Sequence, residues 1–189
     1  MTRIIAGELG GRRISVPPTG TRPTTDRVRE ALFSKLESAN ALRGAAVLDL
    51  FAGSGALGLE AMSRGAASAT FVEASPAAAR VIQGNIKKLG LGANARVVKE
   101  RALQYVRRTN DEFTLVFMDP PYDIAAADLG EVLNALGETL PPEAQLVLEF
   151  SRRATLPDWP GTIAPVSSKD YGDTVLHFAH TLPGDGQNS

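Results

Sequence analysis

The chain has 189 residues, with 20 Lys and Arg against 21 Asp and Glu and no cysteine. That length accommodates one domain with a substantial core, and the lack of cysteine excludes a disulfide framework, a thiolate metal site and a cysteine nucleophile. A net charge of −1 argues against wholesale coating of nucleic acid, no stretch approaches the roughly 18 apolar residues of a membrane span, and no signal-peptide core follows Met1-Thr-Arg3, so a cytoplasmic location is expected.

The charge is nevertheless uneven. Arg3, Arg12, Arg13, Arg22, Arg27 and Arg29 face only Glu8, Asp26 and Glu30 within the first 30 residues. Arginine forks onto phosphate, so these six are candidate RNA contacts. Arg3 to Ala6 and Arg12 to Val16 flank Gly7-Glu-Leu-Gly-Gly11, the pattern of a β-hairpin with a glycine-rich turn. Pro17-Pro18, Gly20 and Pro23 form a stiff connector. Thr24, Thr25 or Asp26 can then cap a helix with Val28, Ala31, Leu32 and Leu36 at helical spacing. Arg27 and Arg29 fall in its first turn, where the helix dipole disfavours cations. They read either as a solvated face or as phosphate contacts.

From Ala45 onward strands and helices alternate. The apolar run from Ala45 runs into Asp49-Leu-Phe-Ala-Gly-Ser-Gly-Ala-Leu-Gly58, which reads as strand, tight turn and helix opening. Ala69 to Val72 is a second strand. Ser75-Pro76 opens a helix with Ile82, Ile86 and Leu89 on one face, ended by Gly90; Asn85 on it reads as a cap for local backbone. Strands follow at Ala95 to Val98, Phe113 to Met118 and Gln145 to Glu149, with helices at Ala102 to Arg108 and Ala125 to Leu140. Two weaker strands, around Ile163 to Val166 and Thr174 to Phe178, pair across Lys169-Asp-Tyr-Gly172, a turn placed to overhang the crevice. Trp159 reads as a packing anchor. His177 and His180 fall on opposite faces of a strand, so no metal site is expected. The alternation predicts a Rossmann-like, doubly wound, mostly parallel α/β sheet. Residues 1–20 form a hairpin extension, 21–182 the main domain, and the tail 183–189 is expected to be disordered.

Gly53-Ser-Gly-Ala-Leu-Gly58 matches G-x-G-x-x-G, and Glu73 stands about twenty residues beyond Gly53. An acid there bonds vicinal ribose hydroxyls, a requirement shared by NAD and S-adenosylmethionine. Asp49 separates the two, because dinucleotide folds keep an apolar residue at that place. A carboxylate there suits a cofactor with an amino-acid end, and nothing in the chain resembles a hydride acceptor site. In Asp119-Pro-Pro-Tyr122 two prolines remove two backbone donors, leaving the Asp119 carboxylate and the Pro120 carbonyl as rigid acceptors. Such acceptors suit a nucleobase amino group, whose conjugated lone pair turns toward an electrophile when its N–H bonds are gripped. Tyr122 offers a stacking face, typically worth about 1 to 3 kcal/mol per base. The missing cysteine disfavours covalent methylation at pyrimidine C5. These residues leave open guanine N2, adenine N6, and a non-catalytic RNA-binding or assembly factor that keeps the fold without turnover.

Asp49 to Gly58, Glu73 and Asp119 to Tyr122 resemble the class I S-adenosylmethionine-dependent amino-methyltransferases. Arg3 to Val16, Arg22 to Phe33 and Tyr171-Gly172 resemble, more narrowly, the bacterial RsmD family, over almost the whole chain. The resemblance implies a seven-stranded sheet, S-adenosylmethionine as cofactor, and methylation of N2 of one guanine in 16S rRNA. It also implies a substrate presented by the small ribosomal subunit and engaged through the amino-terminal hairpin; a monomer is the simplest expectation. It makes Asp119, Pro120, Pro121 and Tyr122 the catalytic set. Asp49, Phe51, Gly53, Ser54, Gly55, Glu73, Arg101 and Ala102 become the cofactor set. The chain departs from the family at Glu100-Arg101-Ala102, where an acid usually meets the adenine amino group. Either Glu100 or a backbone carbonyl is expected to substitute, or the adenine is held mainly by packing.

Overall fold

The computed structural model describes residues 1–18 and 24–183; Arg22 and the tail from residue 184 lie outside the described residues. Strands β1 (Thr2–Arg3) and β2 (Arg13–Ile14) form an antiparallel hairpin with Thr2 opposite Ile14. Helix α1 (Asp26–Ser38) follows, capped by Thr25, whose hydroxyl accepts from the Val28 N–H. Its apolar spacing places Val28, Leu32, Phe33 and Leu36 in the core. The chain then alternates as expected: β3 (Ala46–Leu50), α2 (Ala56–Ser63), β4 (Ser68–Val72), α3 (Pro76–Lys88), β5 (Ala95–Val98), α4 (Ala102–Arg108), β6 (Leu115–Met118), α5 (Ala126–Thr139), β7 (Gln145–Ser151), β8 (Ile163–Tyr171) and β9 (Thr174–Thr181).

Seven strands form one sheet in the order β5-β4-β3-β6-β7-β9-β8. The five from β5 to β7 are parallel; β9 runs antiparallel to both β7 and β8. Successive side chains of a strand point to opposite faces, and the two faces carry separate cores. Val47, Leu115, Phe117 and Val147 pack with α1, α2 and α3, whereas Leu48, Leu50, Val116, Met118, Leu146 and Leu148 pack with α4 and α5. The fold class read from the sequence holds. One local expectation does not: Lys169 to Tyr171 belong to β8, and the hairpin turns at Gly172-Asp173. β8 is an edge strand with mostly exposed side chains, and polar edge strands lack the apolar alternation that marks inner ones. No described helix is long and apolar enough to cross a membrane.

The amino-terminal hairpin is locked to the sheet. Ile4 and Ile14 are fully buried in the core shared by α1, α2 and α3. Glu60, at 0% exposure on α2, accepts the N–H of Ile5 (2.9 Å) and Ala6 (3.2 Å) and pairs with Arg64 at 3.0 Å. Ser63 accepts from the Leu9 N–H at 2.9 Å and donates to the Ala6 carbonyl at 2.6 Å. Gly7 is required at this contact, since a Cβ there would lie 2.0 Å from the Ser63 carbonyl oxygen. Asn85, fully buried on α3, is not the local cap expected from the sequence. Its Oδ1 accepts the Ser15 N–H (2.8 Å), and its Nδ2 donates to the carbonyls of Ser15 (2.9 Å) and Ser54 (3.1 Å).

Arg29 requires a correction. It was expected to meet RNA, yet it is 1% exposed. Its guanidinium donates to the Arg3 carbonyl (2.8 Å), Thr2 Oγ1 (3.0 Å) and Asp26 Oδ1 (2.7 Å). The first turn of α1 carries this cation because Asp26 and the hairpin backbone surround it, which offsets the helix dipole. Replacing Glu60 by Ala strands two backbone donors and takes from Arg64 its buried partner, leaving it only Glu37 at 3.1 Å. Urea denaturation of Glu60→Ala is expected to show a loss of about 3 to 5 kcal/mol, the usual cost of breaking a buried ion pair from one side.

Candidate active site

The strand order reverses between β3 and β6, the topological switch point at which α/β sheets bind ligands outside the carboxyl ends of their strands. Leu50 pairs with Met118 and Met118 with Leu148. The turns after β3 and β6 and the end of β7 therefore emerge side by side. A continuous cleft of about 2180 Å³ opens there, larger than the roughly 300 to 1,000 Å³ of a pocket for one small ligand. It is lined by Asp49, Phe51, Gly53 and Ser54 on one side and Asp119 to Tyr122 on the other, with Glu73, Arg101 and Ala102 alongside.

The first turn starts at Phe51, which holds φ 57° despite its Cβ, a conformation that costs an L-residue on the order of 1 kcal/mol. Packing against the α4–α5 core holds it there. Gly55 precedes α2 in a left-handed conformation. Gly58 donates its N–H to Asp49 Oδ2 at 3.0 Å, and a Cβ at Gly58 would lie 2.4 Å from the Phe71 ring. The third glycine of the motif thus lets α2 close onto the sheet over Asp49. Burial pushes the Asp49 carboxyl up to about 8; the Gly58 hydrogen bond opposes that rise and the charge on Glu73 adds to it. Glu73 accepts the N–H of Gly53 at 2.9 Å and of Ser75 at 3.1 Å, tying the glycine turn to the end of β4.

This donor and acceptor set fits an adenosine cofactor with an amino-acid end: a buried acid at the turn, a second acid at the next strand end, and apolar walls at Val72 and Ala102. Arg101 is exposed at the start of α4 and caps nothing with its side chain. Glu100 receives two bonds of 2.8 Å from Arg108 Nε, and that pairing holds its carboxyl below the usual range. Of the alternatives to the missing acid, Glu100 is committed to Arg108, which leaves a backbone acceptor or packing of the adenine.

In the second turn Pro120 is buried, Pro121 is exposed, and Tyr122 stands at the rim with 81% of its surface in solvent. Burial lifts the Asp119 carboxyl well above its ordinary range, and the charges on Glu149 and Asp49 lift it further. Glu149, two residues before the end of β7, lies in neither sequence motif. Its Oε2 accepts the Thr24 hydroxyl at 2.7 Å, and both residues line the cleft. A sequence signal for it exists: β3, β4, β6 and β7 each bring an acid to the carboxyl edge, as Asp49, Glu73, Asp119 and Glu149. Among the described residues no group of three or more His, Cys, Asp or Glu is placed to hold a metal.

The cationic residues are distributed around this floor. Arg27 is exposed at the cleft rim, joined there by Arg107, Arg153 and Lys169, which the amino-terminal charge cluster does not include. Arg3, Arg12 and Arg13 are exposed on the hairpin; Arg3 pairs with Asp26 at 3.3 Å and Arg12 donates to the Lys88 carbonyl at 3.1 Å. Tyr171 borders the cleft from β8. Trp159 packs against the α4–α5 core, as a loop anchor should.

The Conserved hypothetical protein 95 family matches residues 2–180. Ribosomal RNA small subunit methyltransferase D of Escherichia coli K12 is 43% identical over 161 residues, 84% of this chain and 79% of that protein. The chain belongs to the RsmD family of methyltransferases. Within the family, the putative rRNA methyltransferase YlbH of Bacillus subtilis is 36% identical over 91% of this chain and 95% of its own length. The solved structure of the putative methyltransferase yhhF from Escherichia coli superposes with a TM-score of 0.83, at 37% identity, over 95% of this chain and 97% of that one. The family expectation drawn from the glycine turn, the Asp-Pro-Pro-Tyr turn and the arginine-rich amino end is borne out.

Asp49 gives the ligand-free protein a pH signature. Its folded-state pKa lies above its ordinary 3.8, at about 8, so the folded state holds the proton more tightly than the unfolded chain. The stability is complete below about pH 4 and is lost as pH rises toward about 8. Urea midpoints measured across that window are expected to fall, and Asp49→Asn, which keeps an acceptor for Gly58 but cannot ionise, is expected to flatten the slope.

Proposed function

We propose that this chain methylates the exocyclic N2 of one specific guanine in 16S rRNA, using S-adenosylmethionine and acting on the small ribosomal subunit or an assembly intermediate. The observation that carries the reading is the rigid Asp119 turn, whose carboxylate shares one cleft with Asp49 and the glycine turn. The name of the Escherichia coli relative, which specifies the small-subunit RNA, supports the choice of substrate. S-adenosylmethionine supplies an electrophilic methyl group when bound.

The chain's own residues do the rest. Asp49 and Glu73 orient the amino-acid and ribose ends of the cofactor, with Phe51, Gly53, Ser54, Arg101 and Ala102 shaping the pocket between them and Gly55, buried behind that lining, turning the chain into α2. Asp119 and the Pro120 carbonyl grip the two N–H bonds of the target amino group, and Pro121 stiffens the turn. The amino nitrogen sheds one proton as it gains a methyl. Asp119, made more basic by burial and by the charges on Glu149 and Asp49, is placed to receive it. Tyr122 stacks on the extruded base. Arg3, Arg12, Arg13 and Arg27 meet phosphates, and Arg22, outside the described residues, completes that set. Every site residue comes from one chain, so a monomer suffices, and such a substrate implies a cytoplasmic location.

Small subunits lacking the modification, incubated with labelled cofactor and digested to nucleosides, are expected to yield N2-methylguanosine; N6-methyladenosine would replace the reading. Asp119→Ala should bind the cofactor with unchanged affinity by calorimetry while methyl transfer falls at least about a hundredfold. Full activity in that variant would remove Asp119 from the mechanism. For the hairpin, Arg12→Gln with Arg13→Gln should weaken subunit binding and make its dependence on log salt shallower, by about 0.7 to 0.9 for each phosphate that is no longer neutralised. An unchanged salt slope would return those arginines to a solvated face.

A further inference from the structure

The Glu149 carboxylate, near the carboxyl end of β7, belongs to neither of the two motifs, yet it stands beside the reacting turn. Because Met118 pairs with Leu148 in parallel register, Asp119 and Glu149 are the next residues of neighbouring strands and project to the same face. The Thr24 hydroxyl donates to Glu149 Oε2 at 2.7 Å and fixes that side chain at the cleft. Pro120 and Pro121 offer no N–H here. The floor that receives the base is therefore built from acceptors: two carboxylates and a proline carbonyl. A carboxylate has about four acceptor directions, of which the bond from Thr24 takes one.

Nucleobases differ at the atom next to their amino group. Guanine carries a donor there, N1–H beside N2–H. Adenine and cytosine carry a ring-nitrogen lone pair, N1 beside N6 and N3 beside N4. A second carboxylate next to the one that grips the amino group completes a hydrogen bond with guanine and confronts a lone pair in the others. We propose that Glu149 is the specificity-determining residue of this site: its carboxylate accepts guanine N1–H while Asp119 holds N2, and this pair selects guanine over adenine. The inference rests on the guanine-N2 reading above and names the residue that enforces it. A site built to hydrogen-bond a donor rejects an analogue that lacks it far more strongly than an apolar pocket rejects a missing methylene.

The test uses 2-aminopurine, which keeps the C2 amino group but bears a lone pair at N1. Small subunits are reconstituted with guanine or 2-aminopurine at the nucleotide that the wild-type chain methylates, and kcat/KM is measured for both. The loss of O6 in the analogue is common to every enzyme form and cancels when ratios are compared. Wild type should strongly prefer guanine. Glu149→Gln, whose amide can turn an N–H toward the lone pair, should lower the rate on guanine and raise it on 2-aminopurine, shrinking the ratio at least about tenfold. Glu149→Ala, with neither charge nor donor, should shrink the ratio by lowering the guanine rate. Calorimetric cofactor affinity shows that each variant is folded. Equal loss on both bases in a folded variant, with the ratio unchanged, assigns Glu149 to structure and overturns the proposal. A wild-type chain that makes no N2-methylguanosine in unmodified subunits sinks the guanine reading itself, a separate outcome.

Discussion

The lateral pairing of β3 with β6 is the constraint from which the site follows. Their backbones lie roughly 4.8 Å apart in a sheet, and their register, Asp49 beside Phe117 and Leu50 beside Met118, is set by the apolar residues that fill both cores. Val47, Asp49, Phe117 and Asp119 share one face because side chains alternate with period two. A slip of one residue would send all four to the other face and bury charges among the leucines of α4 and α5. The hydrophobic pattern that folds the sheet thus also aims the acids. Parallel strands then put both following turns at one edge, so a cofactor turn and an acceptor turn well separated in the chain become walls of one cleft.

Crowding acids at that edge costs stability, and the structure shows what offsets it. Asp49 accepts the Gly58 N–H at the opening of α2, Glu73 accepts two backbone N–H groups, and Glu149 accepts the Thr24 hydroxyl. The same device builds the hairpin. Glu60, Ser63, Asn85 and Arg29 are buried polar side chains whose partners are backbone groups of the hairpin. Each would be a liability alone, since an unpaired buried polar group costs about 1 to 3 kcal/mol. Together they hold the exposed arginines of β1 and β2 on a rigid base. Asn85 bonds both Ser15 and Ser54, so the segment after the hairpin and the glycine turn share a single side chain, and displacement of either strains the other.

The parallel half of the fold is legible in the sequence because its inner strands, β3, β4, β6 and β7, are largely buried and read as mainly apolar runs. The glycine turn and the Asp-Pro-Pro-Tyr turn are legible because their chemistry is local: spacing alone brings the residues together. Arg29 and Asn85 are opaque for the opposite reason. Their partners lie 26 and 70 residues away, and a polar residue on a helix has no local mark that separates a solvated position from a buried clamp. β8 extends beyond its sequence signal because an edge strand facing water carries polar residues along most of its length. Glu149 escapes notice although it repeats the placement of Asp49 and Asp119. An acid at a strand end looks like ordinary surface until the strand order makes it a neighbour of another acid.

The cations of the cleft are confined to its exposed parts, whereas its acids occur at every depth. Asp49, Asp119 and Glu149 lie on the floor, whereas the exposed lining around it mixes Arg27, Arg101, Arg107, Arg153 and Lys169 with Asp128, Glu131, Asp170 and Asp173. A phosphate approaching the floor meets acids that water no longer screens, Asp49 and Asp119 being held toward the neutral form by burial, and any repulsion strengthens as the effective dielectric falls. At the rim the same phosphate meets arginine in solvent, where attraction is modest but additive and coupled to counterion release. On the proposed reading, the phosphate backbone stays at this rim and an uncharged, donor-bearing group enters. A base swung out of its stack meets that description, and Tyr122, exposed between floor and rim, offers its ring where the base crosses from one environment to the other.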